Sequence, residues 1–154
     1  MTRAMLHVSL GLMGLVCAMG LSGCSREAQG GPPAIRYGDS VCAECGMILS
    51  DERFSTALQA GGGRGDGALI FDDTGCQIRY EKKHPDLEII ERWTHDYTTG
   101  EWISTADAWF VRSEEIRSPM GSNIAAFDSE SRAKVVAEPI GVGVVGFESI
   151  WLSE

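Results

Sequence analysis

The amino terminus of this 154-residue chain has the pattern of an apolar leader that ends in a lipidation motif. The first residues are therefore not expected to belong to the folded domain. Arg3 is the one charged side chain of residues 1–23, and an apolar stretch with small residues follows it. Leu21-Ser22-Gly23-Cys24 has the form of a bacterial lipoprotein signal. We therefore expect cleavage before Cys24 and diacylation of its thiol, and not a retained membrane helix.

The predicted lipid places the domain outside the cytoplasm. Acyl chains on Cys24 bind a membrane because each buried methylene contributes about 0.8 kcal/mol. Ser25 follows the lipidation site, which favours the outer membrane if the source is Gram-negative, so we expect a lipid-anchored protein at the periplasmic face. Cys17 is lost with the leader, which leaves three free thiols among the five cysteines, at Cys42, Cys45 and Cys76.

Composition divides the remaining chain into a tether and a domain. Residues 24–40 include Gly30-Gly31-Pro32-Pro33, which can continue neither helix nor sheet and predicts a flexible linker. Residues 41–154 are long enough for one domain, with sub-units at 41–86 and 87–154. The leader holds one of the 13 Lys and Arg residues and none of the 22 Asp and Glu residues, so the mature formal charge is −10. We expect no nucleic-acid partner, because a surface of this sign repels phosphate backbones.

Two predicted helix starts look alike, since Leu69-Ile70-Phe71-Asp72-Asp73 and Ala125-Ala126-Phe127-Asp128-Ser129 each lead from a strand into helical spacing. This likeness suggests two related strand-strand-helix units, with short strands and two main helices. Asp72 or Asp73 is predicted to cap the first helix and Asp128 the second. The predicted strands are 53–58, 68–71, 87–93, 101–104, 108–111, 123–127 and a closing strand up to Phe147.

A sulfur-rich motif opens the domain, in the run Val41-Cys42-Ala43-Glu44-Cys45-Gly46-Met47-Ile48. Cys45 and Met47 are one residue apart, and in an extended segment their side chains project to the same side. Thiolate and thioether donors favour Cu(I), whereas zinc sites rarely use methionine. Met120 lies in a predicted turn with little core to enter, which makes it a third soft donor. These residues predict a Cu(I) site.

Other chemistry is open to the same cysteines. Cys42 and Cys45 form a Cys-x-x-Cys pair, which in an oxidising compartment forms a disulfide, binds metal or acts as a thiol-disulfide oxidoreductase. The other alternative is a structural lipoprotein. It would have a disulfide, Cys42–Cys45 or Cys45–Cys76, or a zinc site in which His84 or His95 joins Cys76. Cys76 also suits a small buried apolar position. No Ser-His-Asp, paired-carboxylate or phosphate-loop arrangement can be assigned in the sequence, so we do not expect an enzyme.

The sequence resembles the NosL family of copper-binding lipoproteins that assist the assembly of nitrous oxide reductase. The resemblance rests on the lipidation motif at Cys24, on Cys42 to Met47, on Phe71-Asp72-Asp73-Thr74-Gly75-Cys76, and on the segment from Ser118 to Phe127. It implies an α+β fold of two related ββα-type units with short antiparallel strands, and a NosL-like copper-binding domain over residues 41–154. It also implies a Cu(I) chaperone whose partner is apo nitrous oxide reductase or its assembly machinery. The ligands it implies are Cys45, Met47 and Met120, with Cys42 and Cys76 as further candidates.

Overall fold

The computed structural model describes residues 31–61 and 67–154, and these form two antiparallel sheets with three α-helices. The α+β class predicted from the sequence is therefore confirmed. The predicted leader, the lipidation site at Cys24 and the first part of the linker lie outside the described residues. Within the described ranges, no helix combines the length and the apolar character that a membrane crossing demands.

The first sheet has the strand order β2-β1-β3-β4 and the second has the order β6-β5-β7. All strand neighbours pair antiparallel. The strands are β1 (Thr56–Gly61), β2 (Gly67–Phe71), β3 (Glu88–His95), β4 (Trp102–Ser104), β5 (Trp109–Arg112), β6 (Ile124–Phe127) and β7 (Val144–Gly146). The helices are α1 (Thr74–Lys83), α2 (Glu130–Ala137) and α3 (Phe147–Ser153), with a 3₁₀ turn at Glu138–Ile140 between α2 and β7.

The structure corrects some of the predicted element ends. The first strand begins at Thr56 and not at residue 53, since residues 52–54 form a turn. The N-cap of α2 is Ser129 and not Asp128. Asp128 instead accepts a hydrogen bond from the Ser129 hydroxyl and pairs with Arg132 one turn later. The final strand ends at Gly146, and a helix that the pattern did not predict follows it.

Asp96 joins the two sheets. Its carboxylate accepts hydrogen bonds from the backbone N–H groups of Thr98, Thr99 and Asp128, each at 2.8 Å. The neighbouring backbone N–H of Tyr97 donates to the carbonyl of Ala126 in β6 at 2.8 Å. Burial acts to raise the pKa of Asp96, but the backbone donors outweigh it and hold the pKa below its ordinary value. The end of β3 and the start of α2 are therefore held by one carboxylate.

His95 is a buried core residue. Its Nδ1 lies 2.9 Å from the carbonyl oxygen of Ser55 and 3.0 Å from the hydroxyl of the same residue. Its ring packs at a tilt of 32° against Trp102, with the centroids 3.6 Å apart. The sequence-based alternative of His95 as a zinc ligand therefore finds no support in this position.

We predict that His95 titrates below its ordinary pKa of 6.5, because burial disfavours the charged imidazolium. The unfolded chain then binds this proton more tightly than the folded chain does. The contribution of His95 to stability is therefore complete above pH 6.5 and is lost as the pH falls below that value. A proton NMR titration of the imidazole resonances measures this pKa directly, and a value at or above 6.5 contradicts the prediction.

Candidate metal centre

The Cys-x-x-Cys pair lies in a tight hairpin turn. Val41 and Ile48 form an antiparallel bridge across it. The backbone N–H of Cys42 donates to the carbonyl of Met47 at 2.8 Å, and that of Gly46 donates to the carbonyl of Cys42 at 3.0 Å. Gly46 has φ of 73°, in the left-handed region that favours glycine. The cysteines therefore do not begin a helix, which is the position that thioredoxin-like chemistry uses.

The hairpin packs on the edge of the first sheet with one thiol turned inward. The backbone N–H of Ala43 donates to the carbonyl of Ile70 in β2 at 2.9 Å. Cys42 is 1% exposed and belongs to a hydrophobic cluster that also contains Leu49 and Phe71. Cys45, at the other side of the turn, is only half-buried and packs against the same cluster. One thiol of the pair thus faces the core and the other faces its edge.

The third thiol comes from the first turn of α1. Asp73 is the N-cap of this helix, and its Oδ1 accepts a hydrogen bond from the backbone N–H of Cys76 at 2.8 Å. This bond satisfies one of the free N–H groups at the start of the helix. Cys76 is 0% exposed and lies in the same hydrophobic cluster as Cys42. The strand β2 and the cap at Asp73 therefore bring Cys76 up to the hairpin.

The Sγ atoms of Cys42, Cys45 and Cys76 all lie within 4.8 Å of one another. Sulfur ligands bound at about 2.3 Å around one metal ion lie about 4 Å apart in a trigonal arrangement, so small side-chain movements suffice to enclose an ion. All three residues have free thiols. Neither His84 nor His95 joins this group among the described residues. The cluster is therefore a candidate metal centre made of sulfur alone.

The three thiols differ in pKa. A hydrogen bond from the Cys76 thiol lowers the pKa of Cys42 to about 5, and backbone N–H groups add to the effect. The same bond raises the pKa of Cys76, while burial raises the pKa of Cys45. Nη2 of Arg79 donates to the Cys76 sulfur at 3.2 Å, and this guanidinium offsets negative charge on the cluster. The cluster therefore loses its first proton more readily than an isolated cysteine does.

Met120 lies beside this centre because Asp73 also holds its loop. Oδ2 of Asp73 accepts hydrogen bonds from the Ser118 hydroxyl at 2.8 Å and from the Ser122 backbone N–H at 3.2 Å. Gly75 allows the close approach, since a Cβ at that position would lie 2.5 Å from the Cβ of Ser122. Met120 packs, half-buried, against the cluster that contains the thiols.

In the structure, the donors predicted from the sequence differ in how deeply their side chains are buried. Cys42, Cys45 and Cys76 converge. Met120 packs against the hydrophobic cluster that includes Cys42 and Cys76, and Met47 is 57% exposed at the hairpin surface. Cys76 is buried as a small apolar residue would be, and it is also part of the sulfur cluster. The sequence reasoning did not single out Arg79. Its place three residues after Cys76 on one helix face was the available signal.

The comparisons with known proteins agree with this fold. Residues 34–153 match the sequence model of the family described as NosL. The chain is also similar to the crystal structure of the copper chaperone NosL from Shewanella denitrificans, with a TM-score of 0.65 and 20% identity over 77% of this chain and 93% of that one. None of the curated proteins compared with the chain matches it. Because the family match covers most of the chain, this protein belongs to the NosL family.

Proposed function

We propose that this protein is a lipid-anchored periplasmic chaperone that binds Cu(I) and delivers it to apo nitrous oxide reductase or to its assembly machinery. The observation that carries the proposal is the convergence of three free thiols within 4.8 Å at the edge of the core. The family match, the similarity to a copper chaperone and the lipidation motif at Cys24 support it.

The donor set favours Cu(I) over zinc. Structural zinc is four-coordinate and is bound by combinations of cysteine and histidine. Within the described part of the chain, no histidine or carboxylate completes such a set around these thiols. Thiolates are soft donors that select Cu(I), for which two or three sulfur ligands are enough. A site that stops at three thiols therefore suits a cuprous ion that must later be released.

Copper binding is an exchange of protons for metal. The Cys42 thiolate is the first ligand, and coordination by Cys45 and Cys76 releases their protons to solvent. Arg79 stabilises the resulting anionic site from the Cys76 side. Cys45 is the half-exposed member, so the donor atoms of an acceptor reach the ion there. Transfer is a stepwise replacement of ligands without redox change, and it requires no catalytic group.

A thiol-disulfide oxidoreductase is the second candidate, because the pKa of Cys42 is lowered to about 5 as in reactive cysteines. The burial of Cys42 weighs against it. A nucleophilic thiolate must reach the disulfide of its substrate, and the Cys42 sulfur belongs to a residue that is 1% exposed. Copper, unlike a protein disulfide, is small enough to reach this thiolate. Turnover of a disulfide substrate by the metal-free protein would favour the oxidoreductase.

The binding claim is tested by titration of the reduced, full mature lipoprotein in detergent under anaerobic conditions. We expect one Cu(I) per chain in competition with a chromophoric cuprous chelator, and no comparable retention of Zn²⁺. The Cys42→Ala/Cys45→Ala/Cys76→Ala variant is the control and should lose all Cu(I) to the chelator. Wild-type protein that loses its copper as completely as the control would refute the proposed function.

The delivery claim needs a separate measurement. Copper-loaded protein should restore activity to apo nitrous oxide reductase faster than the same copper supplied as its chelator complex. The triple alanine variant, incubated with one equivalent of Cu(I), is the matched control. Equal rates from loaded protein and from chelator would contradict delivery while leaving copper binding intact.

A further inference from the structure

We infer that Glu154 is a positioning residue of the metal centre, which holds the guanidinium of Arg79 on the Cys76 sulfur and thereby raises the affinity for Cu(I). Glu154 acts through Arg79 and not on the ion itself. The inference rests on the proposed function. It adds a contact through which the second sheet and the end of α3 control how tightly the thiols hold copper.

Arg79 forms a bridge between the thiols and Glu154. Its Nη2 donates to the Cys76 Sγ at 3.2 Å, and its Nη1 donates to Glu154 Oε1 at 2.7 Å. The guanidinium is planar and rigid, so a bond to one nitrogen fixes the direction in which the other nitrogen points. The Arg79 side chain is 37% exposed, and without the carboxylate it would be free to turn toward water. Glu154 therefore keeps Arg79 in the orientation that reaches the sulfur.

Glu154 is in turn held from the second sheet. Arg112, the last residue of β5, donates from Nη2 to Glu154 Oε2 and from Nη1 to the Ser153 hydroxyl at 3.2 Å. The two carboxylate oxygens thus accept from two different arginines, and the Glu154 side chain is only 14% exposed. Hydrogen bonds between ionised groups are the stronger ones and fix geometry. The carboxylate is therefore a fixed support and not a mobile surface group.

Gly75 leaves the space in which Arg79 and Glu154 meet. A Cβ at this position would lie 2.8 Å from Glu154 Oε1 and 3.0 Å from Arg79 Nη1. Gly75 directly precedes Cys76 in the first turn of α1. The ion pair therefore lies against the same helical turn that carries the thiol.

A copper-loaded centre needs this support because it is an anion. Three thiolates outweigh the single positive charge of Cu(I), and two of them belong to the buried residues Cys42 and Cys76. A buried charge is costly unless an opposite charge lies beside it. Arg79 supplies the positive charge, and Arg112 balances the negative charge of Glu154. Loss of the Glu154 carboxylate would let Arg79 leave the sulfur, and the anionic centre would become less stable.

The first test replaces Glu154 in the reduced, full mature protein and measures the Cu(I) affinity by anaerobic competition with a chromophoric chelator. Glu154→Gln removes the charge that orients Arg79 and keeps the size of the side chain. We expect the affinity to fall about tenfold, as is found when a group that orients a metal ligand is lost. Glu130→Gln is the matched control and should keep the wild-type affinity, because Glu130 pairs with Lys134 on the surface of α2.

A double-mutant cycle with Arg79→Met separates positioning from other effects of Glu154. Arg79→Met alone should lower the affinity about tenfold or more. Because Glu154 acts through Arg79, adding Glu154→Gln to this variant should change the affinity by less than about twofold. A residue that acted by its own negative charge would raise the affinity when neutralised. A residue that only stabilised the fold would lower it equally with and without Arg79. Either of these results would overturn the inference.

The same measurements distinguish this inference from the proposed function. Wild-type protein that retains no Cu(I) refutes the proposed function, and the inference with it. Wild-type protein that binds one Cu(I), together with a Glu154→Gln variant of unchanged affinity, refutes the positioning role of Glu154 alone. Thermal unfolding of the metal-free variants shows that each is folded, so that a lower affinity reports on the centre and not on loss of the fold.

Discussion

Replacement of Cys45 by alanine should lower the affinity for Cu(I) by about 100-fold or more, since loss of residues that merely support a metal ligand already costs up to about 100-fold. Cys45 is the half-buried thiol of the three-cysteine centre, so its loss removes one of three ligands and the one nearest to solvent. Cys45→Ser should have nearly the same effect, because a hydroxyl is a hard donor that Cu(I) does not favour. The measurement is anaerobic competition with a chromophoric chelator.

Val135→Leu, at an exposed site on α2, is the control for this result and should keep the wild-type affinity. The fold is checked separately by thermal unfolding of the reduced, metal-free variants. Cys45 is half-buried, and its substitution should change the free energy of unfolding by less than about 1 kcal/mol. Cys45→Ala protein with near wild-type affinity would remove Cys45 from the site.

The second large effect is on stability, and it concerns Asp73. Asp73→Ala should lower the free energy of unfolding by about 3 kcal/mol, because the substitution removes an N-cap worth about 1 kcal/mol and two further hydrogen bonds to a buried carboxylate. The donors that lose this acceptor are the Cys76 N–H, the Ser118 hydroxyl and the Ser122 N–H. Urea unfolding of the reduced, metal-free protein measures the difference.

Asp72 supplies a control from the adjacent position. It is also buried, but its carboxylate accepts a single hydrogen bond, from the Ser50 N–H at 3.1 Å, and burial raises its pKa. Asp72→Ala should therefore cost only about 1 kcal/mol. Equal losses of stability for the two variants would show that Asp73 does not hold the Met120 loop to α1 as the hydrogen bonds indicate.

Strands and helices with strong local signals were predictable here. β2 and β6 are short apolar runs, and each is followed by polar residues that can begin a helix. The sequence left Asp72 and Asp73 as equal candidates for the first cap, and Asp73 is the one in place. Both have the right chemistry, but only the path of the chain into α1 decides which carboxylate faces the Cys76 N–H. The prediction of Asp128 as the second cap failed for the same reason.

The helix α3 shows where local pattern was not enough. Its residues follow an alternation of glycine and valine that is typical of a strand, and the strand β7 does begin there. The helix is held by contacts with distant parts of the chain. Ile150 is buried in the cluster that contains Phe110, and the Trp151 indole donates to Glu81 at 3.2 Å. Such contacts cannot be derived from the sequence of residues 147–153.

The sequence alone determined the chemistry available to this protein. Soft sulfur donors, an acidic mature chain and a lipidation motif at Cys24 are properties of residue identity and order, and they are the same in any conformation. The tertiary structure decided which donors meet. Cys76 joins Cys42 and Cys45, while Met47 remains at the surface. The reason is physical, since depth in the core and distance between side chains depend on how segments far apart in the chain pack together.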